Sequence, residues 1–140
     1  MRTSAIFLTV DSVILKLIDK DYHILLIQRR NNPFKDLWSL PGGFVNENED
    51  LETAAKRELF EETSVKIEKL EQLKAFGKPF RDPRSHMVTV AFLGFVLEET
   101  IAIAADDAKD VKWIAVNDLP ELAFDHDEII NFALTKVKDL

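Results

Sequence analysis

Glu58, Glu61 and Glu62 stand three and four residues apart in "KRELFEETSV". On a helix that spacing gathers their side chains on one face. Ionised carboxylates so placed repel one another unless something cationic lies between them. Hard oxygen donors on one rigid face suit Mg²⁺, with Mn²⁺ as the alternative. Arg57 is adjacent in sequence and offers a planar fork that would fix the rotamer of a carboxylate through a bidentate contact. Glu49 lies just ahead of the same segment, and the glycine pair Gly42–Gly43 permits close backbone approach, so a carbonyl there is a further candidate ligand. The competing reading is a solvated acidic face in which Arg57 and Glu61 form an ordinary i,i+4 pair. Spacing alone leaves both open.

Such a site needs a helix held firmly against something larger. Residues 50–63 supply the helix: Asp50 is a fitting N-cap, good helix formers follow, and no Gly or Pro appears before residue 77. Leu51, Ala54, Ala55 and Leu59 fall at helical spacing and form the stripe that anchors it. The partner is a sheet. "AIFLTVDSVILKLI" (5–18) reads as a strand, "DKD" as a turn, and "YHILLIQRR" (22–30) as the hairpin return. "NNPFKDLWSLPGG" (31–43) is broken by Pro33, Pro41 and the glycines and reads mostly as loop. Residues 70–80, 86–98 and 111–116 read as further strands, the second with the unbroken apolar run of a sheet centre. A final helix begins near Asp125, after a turn at Pro120. The expected class is mixed α/β or α+β, in one domain spanning 1–140.

Composition narrows the function. Lys and Arg total 18 against 25 Asp and Glu, a net charge of −7. That balance speaks against nucleic acid or an anionic membrane as partner, but not against an anionic small molecule, because bound cations invert the local field. No apolar run reaches the ~20 residues of a membrane span, and no secretory leader is evident. With no cysteine there is neither a disulfide framework nor a thiol nucleophile. A cytoplasmic address is expected.

The segment 43–65 also resembles a known family. The Nudix pattern Gly-x5-Glu-x7-Arg-Glu-U-x-Glu-Glu-x-Gly-U, with U a bulky aliphatic residue, is met in register by Gly43, Glu49, Arg57, Glu58, Leu59, Glu61, Glu62 and Val65. The single departure is Ser64, where the pattern has glycine. That position suits a helix C-cap, so the change is expected to touch stability, by about 1 kcal/mol, rather than metal binding. The resemblance implies an α/β/α sandwich around a mixed sheet. It also implies Mg²⁺-dependent hydrolysis of a nucleoside diphosphate linked to another moiety. Carried over by position, Glu58, Glu61 and Glu62 would be metal ligands, Gly42 would give a carbonyl, Glu49 would bind or orient, and Arg57 would hold the glutamates in place.

"LWSLPGGFV", "KPFRDPRSHMVTVAFLGFV" and "LAFDHDEII" are similar to the bacterial ADP-ribose pyrophosphatase branch, and also to the sensor domain of Nudix-related regulators of NAD metabolism. The resemblance makes ADP-ribose, cleaved to AMP and ribose 5-phosphate, the expected substrate. The alternatives are nucleoside triphosphates, dinucleoside polyphosphates, and ADP-ribose sensing without cleavage. A homodimer is expected on the same ground. Arg81 and Arg84, flanking Asp82 and Pro83, are candidates for phosphate or ribose recognition, set against a turn with surface arginines. Of Arg29 and Arg30, which alternation places on opposite faces, Arg29 is the candidate phosphate contact. Trp38 and Phe80 are read as core before stacking platforms, and His126 as a structural hydrogen bonder rather than a base. The general base is open among the box glutamates and Glu98, Glu99, Asp106 and Asp107, the acids of an expected mobile loop.

Overall fold

The structure is a computed structural model that describes residues 2–138, so Met1, Asp139 and Leu140, the ends of the expected domain, lie outside the described residues. Nine elements follow one another: β1 (Ile6–Ile18), β2 (Asp21–Arg29), β3 (Trp38–Ser39), β4 (Gly42–Phe44), α1 (Leu51–Thr63), β5 (Glu71–Phe76), β6 (His86–Val96), β7 (Ala108–Ala115) and α2 (His126–Leu134). The β1–β2 hairpin turns through Asp19 and Lys20, both at positive φ, as a type I′ turn requires.

The strands form one sheet in the order β3-β2-β1-β6-β5, with β4 also paired to β1 and β7 to β2. β1 and β6 run parallel from Ile6–His86 to Lys16–Val96, while the other pairings are antiparallel, so the sheet is mixed. Apolar side chains alternate across it. Val10, Ile14, Leu25, Val90 and Phe92 pack on one face with Ala54, Ala55 and Leu59 of α1. Val13, Leu15, Ile24, Leu26, Ala91 and Leu93 pack on the other with Ile129, Ile130 and Ala133 of α2. Both faces are therefore covered, which is why β1, β2 and β6 read as continuous apolar runs. The expected α/β/α sandwich is present.

The stretch 31–43 is mostly loop, as expected, with short strands at Trp38–Ser39, paired with β2, and from Gly42 to Phe44, paired with β1. Strands of two and three residues show no period-2 signal and exist only through their partners. One boundary differs from expectation: β7 begins at Ala108 rather than 111, taking in the end of the expected acidic loop. Among the described residues no helix is long and apolar enough to cross a membrane.

β1 carries the feature that makes room for a site. It pairs with β2 only over Leu15–Ile18, whereas over Thr9–Asp11 its partner is β4. The hairpin strands thus part towards the end of the sheet where α1 begins to lean on β4.

Candidate active site

A cleft of about 320 Å³ opens where β1 and β2 separate. α1 contributes Glu58 and Glu62, β4 contributes Gly42 and Gly43, and the loop before β6 contributes Arg81, Asp82 and Arg84. Arg29 and Arg30 at the end of β2, Asp107 ahead of β7, and Phe124 with His126 at the start of α2 complete it.

α1 is positioned by its two ends and its stripe. Asp50 caps it, its side chain accepting from the Glu52 amide at 3.2 Å. Ala54, Ala55 and Leu59 are buried to within 1% exposure, so the helix cannot roll without opening a cavity, and Leu59→Ala would cost about 2–5 kcal/mol. Ser64 closes the helix in the left-handed region at φ 63°, its amide donating to the Phe60 carbonyl. The expected mobile loop is instead tied here: the amides of Ile103 and Ala105 donate to the carbonyls of Thr63 and Glu62 at 2.8 and 3.0 Å. Those bonds satisfy carbonyls that a helix end leaves unpaired, and they lead Asp107 into the cleft.

Arg57 spans the acidic cluster. Its Nε and Nη2 grip both Glu49 oxygens at 2.7 and 2.9 Å, and Nη1 reaches Glu58 at 2.8 Å and Glu61 at 3.0 Å. Nη2 also donates to the Phe44 carbonyl at 3.0 Å, tying α1 to the end of β4. The Arg57 fork, with the Asn46 amide, holds the Glu49 carboxyl down to about 2. The cation among the expected ligands is thus a guanidinium, and among the described residues no three acidic or histidine side chains converge as a ready metal cage. Glu49 and Glu61 engage Arg57 away from the cleft lining, whereas Glu58 both engages Arg57 and lines the cleft beside Glu62.

Glu62 is 5% exposed and accepts the Gly42 amide at 2.8 Å. Burial pushes its carboxyl up to about 9 despite that bond, and Glu58, Asp11 and Asp107 push the same way. Burial likewise raises Glu58 against the pull of Arg57. Two oxygen-donor side chains lining one cleft, their charges disfavoured by burial, fit a hard divalent cation.

The glycines are needed for space rather than for a turn; among the described residues no glycine has positive φ. A Cβ at Gly43 would lie 2.6 Å from the Glu58 carboxyl carbon, and one at Gly42 would strike the Val10 carbonyl and Asp11 Oδ1. Alternating along β4, each glycine clears one side of the cleft.

The expected arginines all reach the cleft, with different commitments. Arg81 grips Asp125 through Nε at 2.8 Å and through Nη2, and its side chain is 5% exposed. Arg84 pairs with Asp82 at 2.7 Å and lies over the rings of Phe44 and Phe124. Arg29 donates to the Pro33 carbonyl at 2.8 Å and also lies over Phe124. Arg30 lines the cleft as well, against the expectation from alternation, because a register shift at Gln28/Arg29 breaks the period where the strand ends. Of the loop acids offered as base, Asp107 lines the cleft and Glu98, Glu99 and Asp106 do not; of the box glutamates, Glu58 and Glu62 line it. Trp38 packs in the α2-side core, as expected, but Phe80 is 93% exposed and outside any core.

Sequence reading missed Asp11 and Phe124. Asp11 carried a signal, being an acid inside the apolar run "TVDSVILKLI" on a strand buried on both faces. Phe124 carried none.

The NUDIX domain family matches residues 8–132. An ADP-ribose pyrophosphatase of Methanocaldococcus jannaschii is 45% identical over 114 residues, covering 81% of this chain and 67% of that protein. The ADPR responsive transcriptional repressor NtrR of Acinetobacter baylyi is 32% identical over 136 residues, covering 94% of this chain and 54% of the repressor. The chain thus spans about two thirds of the first and about half of the second. Among solved structures, the NUDIX domain of Shewanella oneidensis NrtR complexed with ADP ribose superposes with a TM-score of 0.88 at 39% identity, covering 96% of this chain and 90% of that one.

Proposed function

The chain belongs to the NUDIX family, and from that premise we propose that it is a Mg²⁺-dependent pyrophosphohydrolase of ADP-ribose, releasing AMP and ribose 5-phosphate. One observation carries the reading: Glu58 and Glu62 meet at the Gly42–Gly43 strand with their charges disfavoured by burial. Glu58, Glu62 and the Gly42 carbonyl would hold Mg²⁺ or Mn²⁺, with Glu61 joining by release from Arg57. When bound, the metal neutralises the pyrophosphate and lowers the pKa of water. Substrate chemistry is supported by the 45%-identical archaeal pyrophosphatase and by the ADP-ribose bound to the Shewanella domain.

The chain's own groups do the rest. Arg29 and Arg84 lie at the cleft with charged forks that suit phosphate oxygens and orient the diphosphate. Asp107, the loop carboxylate that lines the cleft, takes the proton of the attacking water. Water oxygen adds to one phosphorus, the anhydride P–O bond breaks, and the two phosphomonoesters leave. Arg57 touches no substrate in this scheme; it holds Glu49, Glu58 and Glu61 in register. A homodimer is part of the proposal, supported by half-exposed Ile6, Phe7, Leu8 and Phe44 at one end of β1, and light scattering tests it.

A second reading is ADP-ribose sensing without turnover, favoured by the match to the Acinetobacter repressor. A panel of ADP-ribose, nucleoside triphosphates, dinucleoside polyphosphates and NADH, assayed with Mg²⁺, separates the possibilities. Preference for ADP-ribose supports the proposal; preference for a triphosphate overturns the substrate, and binding without turnover supports the sensor.

A further inference from the structure

On the α2 side of the cleft Asp11 and His126 are 7% and 4% exposed, yet both line it. Each has one polar atom engaged by the fold. The Leu40 amide donates to His126 Nδ1 at 3.0 Å, which leaves the proton of the neutral ring on Nε2. The Thr89 hydroxyl donates to Asp11 Oδ2 at 2.7 Å. The remaining atoms, Asp11 Oδ1 and His126 Nε2, face each other at 3.6 Å, beyond hydrogen-bond length. Gly42 keeps Oδ1 clear, since a Cβ there would collide with it. The nearby charges of Arg81 and Asp125 are spent on one another.

An acceptor beside a donor selects its ligand by chemistry. An ionised phosphate or carboxylate oxygen has no hydrogen to donate to Asp11 Oδ1, and an ammonium could not accept from Nε2. A hydroxyl donates to one and accepts from the other. We propose that Asp11 and His126 form a hydroxyl-binding subsite that receives a sugar hydroxyl of the nucleotide substrate and so discriminates ribose from deoxyribose. The subsite rests on the nucleotide reading of the cleft but not on the choice of ADP-ribose.

The test is calorimetric binding and kcat/KM for ADP-ribose and its singly deoxygenated analogues, at the adenosine ribose and at the terminal ribose, with ATP against 2′- and 3′-deoxy-ATP alongside. For the wild type, one deoxy position is expected to lose about tenfold or more, as for an unpaired buried polar group. Asp11→Asn, which keeps shape but replaces the acceptor, should weaken the parent ligand by a similar factor and leave that one analogue unchanged. His126→Asn, which can still accept from the Leu40 amide but lacks the Nε2 donor, should do the same. Equal losses for parent and analogue in both variants would mean a network that only joins α2 to β1, and would overturn the subsite. A wild type indifferent to every deoxy position overturns it without any variant. Failure of ADP-ribose to bind while ATP shows the discrimination sinks the ADP-ribose reading and upholds the subsite.

Discussion

The carboxyl of Glu58 fills the space that a side chain at position 43 would need, its carbon 2.6 Å from where a Cβ of Gly43 would stand. The obstacle is the far end of a flexible side chain, so Gly43→Ala should be absorbed by moving Glu58. The expected outcome is a fold melting within a few degrees of wild type and activity reduced on the order of 10²-fold, the cost of misplacing a reacting group by about 1 Å. Gly42→Ala differs because it meets the Val10 backbone carbonyl. Its cost should fall on the fold, about 1–3 kcal/mol or more. Melting curves and initial rates on the pair check this, and the reverse pattern would refute the assignment of spaces.

Glu62 makes the metal-free protein pH-sensitive. Its carboxyl rises from 4.5 unfolded to about 9 folded. The favourable contribution is complete below the unfolded value and is lost as pH climbs to the folded one, so stability should fall across that window. Urea melts in chelator at pH 6 and 8.5 should show wild type losing more than Glu62→Gln by at least about 1.4 kcal/mol, the equivalent of one pK unit. Added Mg²⁺, selecting the ionised carboxylate, should offset the loss in wild type only. Parallel profiles for the two proteins would count against a protonated Glu62.

Arg57→Lys keeps charge but loses the fork that binds both Glu49 oxygens. Expected is a roughly 10–100-fold loss in Mg²⁺ affinity or kcat, as for other groups that orient metal ligands. The check is a Mg²⁺ titration of the rate; an unchanged curve would remove Arg57 from its positioning role.

Ser64 adopts φ 63° at the end of α1. Ser64→Gly relieves a left-handed conformation worth about 1 kcal/mol. Tm should rise by a few degrees, about what that energy gives for a chain of this size, with kcat unchanged. A large gain in turnover at constant Tm would contradict this.

What could be read from sequence was local. The register of Arg57, Glu58, Glu61 and Glu62, the Asp50 cap and the left-handed end at Ser64 all lie within one helix, where spacing dictates geometry. The strands buried on both faces were legible from their apolar runs. Pairings across long separations were not. Arg81 is taken up by Asp125, 44 residues away, and Asp11 meets Thr89 across 78. β3 and β4 arise only from their neighbours in the sheet. Around the helix, spacing suggested Glu49 and three helix acids gathered on a metal, whereas the Arg57 guanidinium engages Glu49, Glu58 and Glu61 and only Glu58 and Glu62 line the cleft.

The most direct measurement is parallel calorimetry and AMP release on ADP-ribose with saturating Mg²⁺, for wild type and Glu58→Gln. Both proteins should bind, wild type alone should release AMP and ribose 5-phosphate steadily, and neither should release them in chelator. Tight binding without turnover by wild type, or undiminished turnover by Glu58→Gln, would contradict the proposed hydrolysis.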